Sequence, residues 1–70
     1  MNTLYKIGQR VFITSYDKTT IIPGMIKDID STKLDSTKYH IESFSNGQTY
    51  IRLEDDIYRT VNAVMRALKH

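Results

Sequence analysis

The chain has 70 residues, of which 10 are basic, 8 are acidic, 40% are hydrophobic and none is cysteine. A chain this short forms one domain, and it buries only about 60% of the surface that its unfolded form exposes. Without cysteine it has neither a disulfide nor a thiolate metal site, and its formal net charge of +2 is too small by itself to indicate a nucleic-acid-binding domain.

The N-terminal stretch and the spread of apolar residues bear on where the protein resides. MNTLYKIGQR lacks the apolar segment of a signal peptide, and the apolar runs elsewhere are two or three residues long. A membrane-spanning helix needs about 20 mostly apolar residues. We therefore expect a cytoplasmic protein that makes no membrane contact.

The first predicted strand is RVFITSY, in which strand-forming residues alternate between two faces. Val11 and Ile13 share one face, which we expect to point into the core. Phe12 lies between them and points to the opposite face.

The second predicted strand, IIPGMIKDID, contains two residues that disturb a regular strand. Pro23 cannot donate to a sheet ladder, and Gly24 permits a sharp bend or a close backbone approach. Ile26 and Ile29 are three residues apart, so strict alternation would send them to opposite faces. One extra residue around Lys27-Asp28, a β-bulge, returns both to the core. We therefore predict a strongly bent strand, as small barrels require.

The next segment, DSTKLDSTK, repeats the same four residues at 30–33 and 35–38. Serine, threonine and lysine can bind a phosphate, but such a site would need glycines and a helix N-terminus behind it. Neither is present in this stretch. A turn-rich surface loop is the simpler interpretation.

The segment KYHIESFSNGQTYIRL predicts a hairpin around Asn46-Gly47. A two-residue loop would pair Ile41 with Arg52 and mix apolar with polar residues on both faces. A three-residue loop with Gly47 in the left-handed conformation pairs Ile41 with Ile51 instead. Register is strongly specified where one face is buried, so we predict the second pairing. Its outer face carries His40, Glu42, Phe44, Tyr50 and Arg52.

After the hairpin, three carboxylates at residues 54–56 predict a turn into a short last strand at Ile57-Tyr58. Thr60 is a typical N-cap for the helical stretch VNAVMRALKH. The helix has one apolar stripe, formed by Val61, Val64, Met65 and Leu68. We expect this stripe to close an open end of the domain rather than to bind a partner. The last dozen residues carry a modest positive charge from Arg59, Arg66, Lys69 and His70, and the cations at the C-terminal end complement the helix dipole.

Residues that bear chemistry do not form a catalytic or metal-binding motif in this sequence. His40 and Glu42 share a strand face, but a structural zinc normally takes four ligands. The carboxylates at 54–56 are typical of a solvated turn, since an acid–base pair needs a pocket that separates two pKa values. A Gly-rich phosphate loop and a G-x-S-x-G motif are absent. We expect no enzymatic activity, no metal and no cofactor.

Five segments carry a resemblance to a known architecture: IGQRVFI, IIPGMIKDI, KYHIES, GQTYIRL and DDIYRT. Together they resemble an SH3-like barrel, the architecture of SH3, Tudor and KOW-type modules. The resemblance depends on a glycine before the first strand, a glycine opening the second, and a compact Asn-Gly hairpin. It implies a mostly β, five-stranded barrel in a single domain of residues 1–70. The barrel would span roughly residues 6–60 and a short C-terminal helix residues 60–69. With this helix, the chain is also similar to small proteins of Gram-positive bacteria and their prophages.

The better-known modules differ from this chain at the residues that carry their activities. A eukaryotic SH3 domain would need a Trp and an acidic, aromatic-rich first loop, and the chain has no Trp. The first loop, SYDKTT, has fewer glycines and basic residues than a KOW-like RNA contact would need. A Tudor-like cage would need Tyr16, Phe44 and Tyr50 to converge on one cation, which the sequence leaves open.

The predicted outer hairpin face is the candidate binding surface, formed by Phe12, Phe44, Tyr50, Arg52 and Lys27. We expect an interaction module that binds a protein or peptide, because tyrosine and arginine are enriched in interface hot spots. Weak, salt-dependent nucleic-acid binding by the same face is an alternative, since stacking and charge also suit single strands. A structural subunit that self-associates is another. Whether the aromatic rings are exposed or covered by the C-terminal helix is open.

Overall fold

A computed structural model describes residues 4–31 and 37–68 of the chain. These residues form an open, four-stranded antiparallel sheet whose strands lie in chain order. The elements are β1 (Arg10–Thr14), β2 (Ile21–Asp30), β3 (Lys38–Ser43), β4 (Thr49–Leu53), a 3-10 turn (Glu54–Asp56) and α1 (Val61–Ala67). A mostly β fold with one short C-terminal helix is therefore confirmed.

The predicted closed barrel of five strands is wrong, because the fifth strand is reduced to one residue pair. Tyr58 forms an isolated bridge with Phe12, in which each main-chain N–H donates to the other residue's carbonyl at 2.8 Å. The residues before it coil into the 3-10 turn and α1 begins at Val61. Too few extended residues remain between the two for a full strand.

The bulge in β2 lies where the sequence predicts it. Ile26 pairs with Ile41 and Ile29 pairs with Tyr39, and the register shifts between Ile26 and Asp28. The extra residue, Lys27, is exposed at this bulge. Ile26 is buried and Ile29 packs against the core from the same face, so the predicted β-bulge is confirmed.

Gly24 allows β2 and β3 to approach each other closely. A Cβ atom at this position would lie 2.6 Å from the carbonyl oxygen of Glu42 and 2.8 Å from Cγ2 of Ile41. The backbone oxygen cannot move without disturbing the ladder, because its strand is paired on both sides. Pro23, the residue before Gly24, pairs with Phe12 of β1. The Pro23 carbonyl accepts a hydrogen bond from Phe44 N at 3.1 Å.

The predicted register of the β3–β4 hairpin is wrong by one residue. Ser43 N donates to Gln48 O at 2.9 Å, so the loop has the four residues 44–47. The side chains of Ser43 and Asn46 hold this longer loop by accepting from the N–H groups of Ser45 and Gln48. In a strand, a shift of one residue exchanges the two faces. Tyr50 and Arg52 therefore lie on the inner face of the sheet, opposite Ile41 and Tyr39.

The core includes Tyr5, which lies in the segment before the first strand. The sequence pattern did not predict that Tyr5 is a core residue. Its hydroxyl donates to Ile57 O at 2.9 Å, and its ring meets that of Tyr39 edge-on at 5.4 Å. The Tyr39 hydroxyl donates to Glu54 Oε1 at 2.7 Å. The other buried apolar residues of this cluster are Val11, Ile13, Ile26, Ile41 and Ile57.

The C-terminal helix begins where the sequence predicts. Thr60 is the N-cap, and its hydroxyl oxygen accepts from Ala63 N at 3.1 Å. α1 lies against β1 and buries Val64, while Val61 and Met65 stay about half exposed. The predicted helix end at residues 69–70 and the middle of the repeated loop, residues 32–36, lie outside the described residues. No helix in the described part of the chain is long and apolar enough to cross a bilayer.

Replacing Gly24 with alanine should destabilise the fold by about 1–3 kcal/mol, because the added methyl group overlaps the β3 backbone. Urea denaturation followed by circular dichroism measures this change. The control is Gly47→Asn, since Gly47 has φ +70° and open space around a Cβ, and asparagine tolerates this conformation. A Gly24→Ala protein as stable as Gly47→Asn would contradict the close approach.

Stability should fall at alkaline pH because burial raises the pKa of both Tyr5 and Tyr39. The hydrogen bond to Glu54 raises the pKa of Tyr39 further, since the phenolate would repel the carboxylate. A folded-state pKa above the unfolded value of about 10 means that the stabilisation is complete below that pH and is lost as pH rises through the folded pKa. Tyr39→Phe should show a smaller alkaline loss in denaturation at increasing pH; an unchanged loss would contradict this assignment.

Candidate functional site

The five residues of the predicted binding surface do not share one face. Phe12 and Phe44 lie on the outer face, where Phe44 is 56% exposed and the Arg10 guanidinium lies 5.9 Å from its ring centre. Tyr50 and Arg52 lie on the inner face because of the register shift. Lys27 is exposed at the bulge, with Nζ 3.9 Å from Glu42 Oε2. Phe12 is half-buried in the middle of β1, paired to Pro23 and Tyr58.

Arg52 is buried, with 7% of its surface exposed, and it joins the two edges of the sheet. Its Nη2 donates to Thr14 O at 2.9 Å, and its Nη1 donates to Ile51 O at 3.0 Å. Thr14 ends β1 and Ile51 lies in β4, the two outermost strands. The guanidinium therefore connects the two edge strands by side-chain hydrogen bonds. Among the described residues, no backbone ladder joins these two strands.

Two tyrosine rings flank the Arg52 guanidinium. Its central carbon lies 4.5 Å from the ring centre of Tyr16 and 5.5 Å from that of Tyr50. Both distances are within the range of a cation–π contact. Tyr50 packs against the core, whereas Tyr16 is 86% exposed. The aromatic cage left open by the sequence therefore forms in part, but it encloses the protein's own cation, and Phe44 lies on the other face.

The loop that carries Tyr16 is held by its own hydrogen bonds. Asp17 Oδ1 accepts from the hydroxyls of Ser15 and Thr19, each at 2.7 Å, and from Thr19 N at 3.2 Å. These bonds, first that from Ser15, lower the pKa of the Asp17 carboxyl below its usual value. Lys18 adopts φ 60° at the tip, a conformation that L residues rarely adopt. The loop thus presents Tyr16 and Lys18 in a defined geometry.

An open cleft of about 210 Å³ lies between this loop and β4. Its charged groups are Lys18, Arg52 and Asp56, and the exposed Tyr16 forms part of its wall. The remaining lining residues are Thr14, Ser15, Ile51 and Leu53. A space of this size suits one or two side chains or a short extended segment rather than a large ligand.

The described residues do not bring metal-ligating side chains into one group. Among residues 4–31 and 37–68, no three His, Asp or Glu side chains are arranged so that they could hold one metal ion. His40 and Glu42 lie on the outer face, where His40 pairs with Asp28 and Ile51. Tyr5, Asp17 and Tyr39 have shifted pKa values, but each has a structural partner and none of them lines the cleft.

Sequence reasoning selected Arg52 and Tyr50 for the binding surface, named Tyr16 only for the aromatic cage that it left open, and missed Lys18. The signal for Tyr16 and Lys18 was an aromatic and a basic residue in SYDKTT, the loop between the first two strands. Their approach to β4 depends on the hairpin register and on the path of the loop. Neither is a local property of the sequence.

The described residues define a small, mostly β domain with an aromatic–arginine cleft at the open side of its sheet. No protein-family model matches the chain, and no curated protein and no solved structure is significantly similar to it. The resemblance to SH3-like barrels and to small proteins of Gram-positive bacteria and prophages therefore stays a prediction.

Replacing Arg52 with alanine should destabilise the protein by about 2–4 kcal/mol, because a charged donor leaves the buried Thr14 carbonyl. Thermal and urea unfolding measure this loss. The matched control is Arg66→Ala, an exposed arginine in the last turn of α1, which should change stability by less than about 0.5 kcal/mol. Equal stability of the two variants would contradict a structural role for the Arg52 guanidinium.

Proposed function

We propose that this protein is a non-enzymatic interaction module that binds a protein or peptide partner through the cleft beside Tyr16 and Arg52. One observation carries the proposal: Tyr16 is 86% exposed while its ring lies on a buried guanidinium. Water surrounds most of this ring, although its position is defined by the loop hydrogen bonds. A large apolar side chain kept both exposed and ordered is a ready contact for a partner.

The energetic argument concerns preorganisation. Ordering a flexible side chain or loop at an interface reduces the affinity that its contacts provide. Here the hydrogen bonds of Asp17 hold the loop, and Arg52 holds the Tyr16 ring, before a partner arrives. Tyrosine and arginine are also the residue types that most often dominate interface energies.

The residues selected from the sequence have different parts in this proposal. Arg52 supports the Tyr16 ring from the inner face, and Tyr50 contacts the Arg52 guanidinium. Phe44 and Arg10 form a separate aromatic–basic pair on the outer face, with Phe12 and Lys27 elsewhere on β1 and β2. We place the binding contact at the cleft because it combines a concave shape with an exposed ring, whereas Phe44 lies in a loop outside it.

The SH3-like character of the fold is part of the same proposal. The chain-order sheet, the bulge in β2 and the pairing of Tyr58 with β1 support an opened relative of such barrels. In this interpretation the bridge at Tyr58 takes the place of a fifth strand. The hydrogen bonds of Arg52 replace part of the missing closure.

Nucleic-acid binding is the second candidate, favoured by Lys18 beside the exposed Tyr16 ring at the cleft. A base could stack on the ring while lysine contacts a phosphate. Asp56 at the same cleft and the small net charge of +2 oppose this alternative. Peptide binding therefore has the stronger physical support.

Selection of a random phage-displayed peptide library on the immobilised protein tests the proposal. We expect peptides that bind the wild type and the Phe44→Ala variant but not Tyr16→Ala. The two variants are matched, since each removes one exposed aromatic ring, and neither ring belongs to the core cluster. Tyr16→Ala should weaken selected peptides about tenfold or more, as loss of a hot-spot residue does.

Three other results would each contradict the proposal. Peptides lost only with Phe44→Ala would assign binding to the outer face. Binding of single-stranded oligonucleotides that weakens steeply with salt, without any selected peptide, would favour the nucleic-acid alternative. A dimeric mass by sedimentation, without any selected peptide, would favour self-association.

A further inference from the structure

The main chain of β4 has one side that its neighbour does not use. In an antiparallel ladder, residue pairs alternate between hydrogen-bonded and non-hydrogen-bonded, and Ser43 N donates to Gln48 O. Counting along the strand, the N–H and C=O groups of Thr49 and Ile51 point away from β3. β4 is the outermost strand on this side of the sheet formed by the described residues. These groups therefore face the free edge.

The hydrogen bond of the Ile51 carbonyl agrees with this count, since it accepts from Arg52 Nη1 at 3.0 Å rather than from β3. The same cleft is lined by Ile51 and Leu53 of this edge strand and by Tyr16 and Lys18 of the loop between β1 and β2. An extended chain lying in the cleft would therefore run beside the outward N–H of Ile51, whose carbonyl is already bonded to Arg52. Addition of a strand to a sheet edge is a common mode of peptide recognition.

We propose that the cleft binds an extended peptide as an added strand on the β4 edge, with an acidic side chain of the peptide at Lys18 and Arg52. This inference rests on the proposed function and names the ligand of the same site. Main-chain hydrogen bonds to the edge supply affinity, and the charges of the cleft select the side chain.

The charge of the cleft supports an acidic ligand. Two of its three charged groups are cations, Lys18 and Arg52, and Asp56 is the anion. Within the described residues Lys18 has no ion pair. The Arg52 guanidinium uses two donors for Thr14 O and Ile51 O, of the five that an arginine has.

A second copy of this chain fits the edge less well. Its own β4 reads TYIRL, which contains an arginine and no carboxylate. Pairing two β4 edges would bring like charges together, and like charges opposite each other destabilise a strand pair. A foreign acidic peptide avoids this repulsion.

The test is an amide NMR titration of the full chain with blocked pentapeptides. The first peptide alternates valine with glutamate, the second has lysine in place of glutamate, and the third is the glutamate peptide methylated on alternate backbone nitrogens. We expect the glutamate peptide to shift the amides of Lys18 and Ile51 and to slow hydrogen exchange at Ile51. The lysine peptide should bind at least about fivefold more weakly, as expected for unfavourable charges at a rim.

Two protein variants, each with a matched control, separate the contributions of edge hydrogen bonding and of charge to peptide affinity. Ile51→Pro removes the outward N–H, which an edge strand tolerates, and it should weaken the glutamate peptide about tenfold. Ile51→Val keeps this N–H and is the matched control. Lys18→Glu should reverse the preference between the two charged peptides, whereas Lys6→Glu, with the same charge change outside the cleft, should not.

The outcomes distinguish this inference from the proposed function. If library peptides bind through Tyr16 but the methylated peptide binds as well as its parent, edge pairing is wrong and the proposed function remains. Equal binding of the glutamate and lysine peptides overturns the acidic preference. Shifts at β4 that depend on protein concentration without peptide would replace the peptide with a second copy. If neither the library nor the pentapeptides bind, both proposals fail.

Discussion

One buried guanidinium joins the two edges of the open sheet, and the candidate site is built around it. Arg52 donates to Thr14 O at the end of β1 and to Ile51 O in β4, and the rings of Tyr16 and Tyr50 flank its planar group. Arginine suits this position because its donors form a fixed fork and its faces stack on aromatic rings. Lysine, with a point charge on a flexible stem, cannot do both at once.

The position of Arg52 depends on a single step of strand register. A four-residue loop places Arg52 opposite Tyr39, inside the sheet. The three-residue loop predicted from the sequence would have placed it on the outer face, opposite His40. The same step turns Ile51 and Leu53 outward, where they are about half exposed. One additional loop residue therefore moves Arg52 from the predicted outer face to the inner face, where its guanidinium contacts the Tyr16 ring.

The predictions that succeeded concern constraints that act within a few residues. The spacing of Ile26 and Ile29 required a bulge, and Thr60 before an amphipathic stretch indicated an N-cap. Those that failed concern the order and closure of distant segments. The polar side chains of a hairpin loop can favour more than one loop length. Pairing Ile41 with Ile51, so that both would be buried, predicted the wrong hairpin register. Nothing local indicated that Tyr5 would reach Ile57 across the domain.

The sequence by itself determined the mostly β class, the bulge in β2, the start of the helix and the apolar residues of β1 and β2 that enter the core. Alternation, glycine and capping residues act locally, so their effects are the same in many folds. Only the tertiary structure decided the hairpin register, the reduction of the last strand to one bridge, and the meeting of Tyr16 with Arg52. These features depend on hydrogen bonds and packing between residues far apart in the chain, such as Arg52 and Thr14. A local sequence pattern does not indicate which of these distant contacts form.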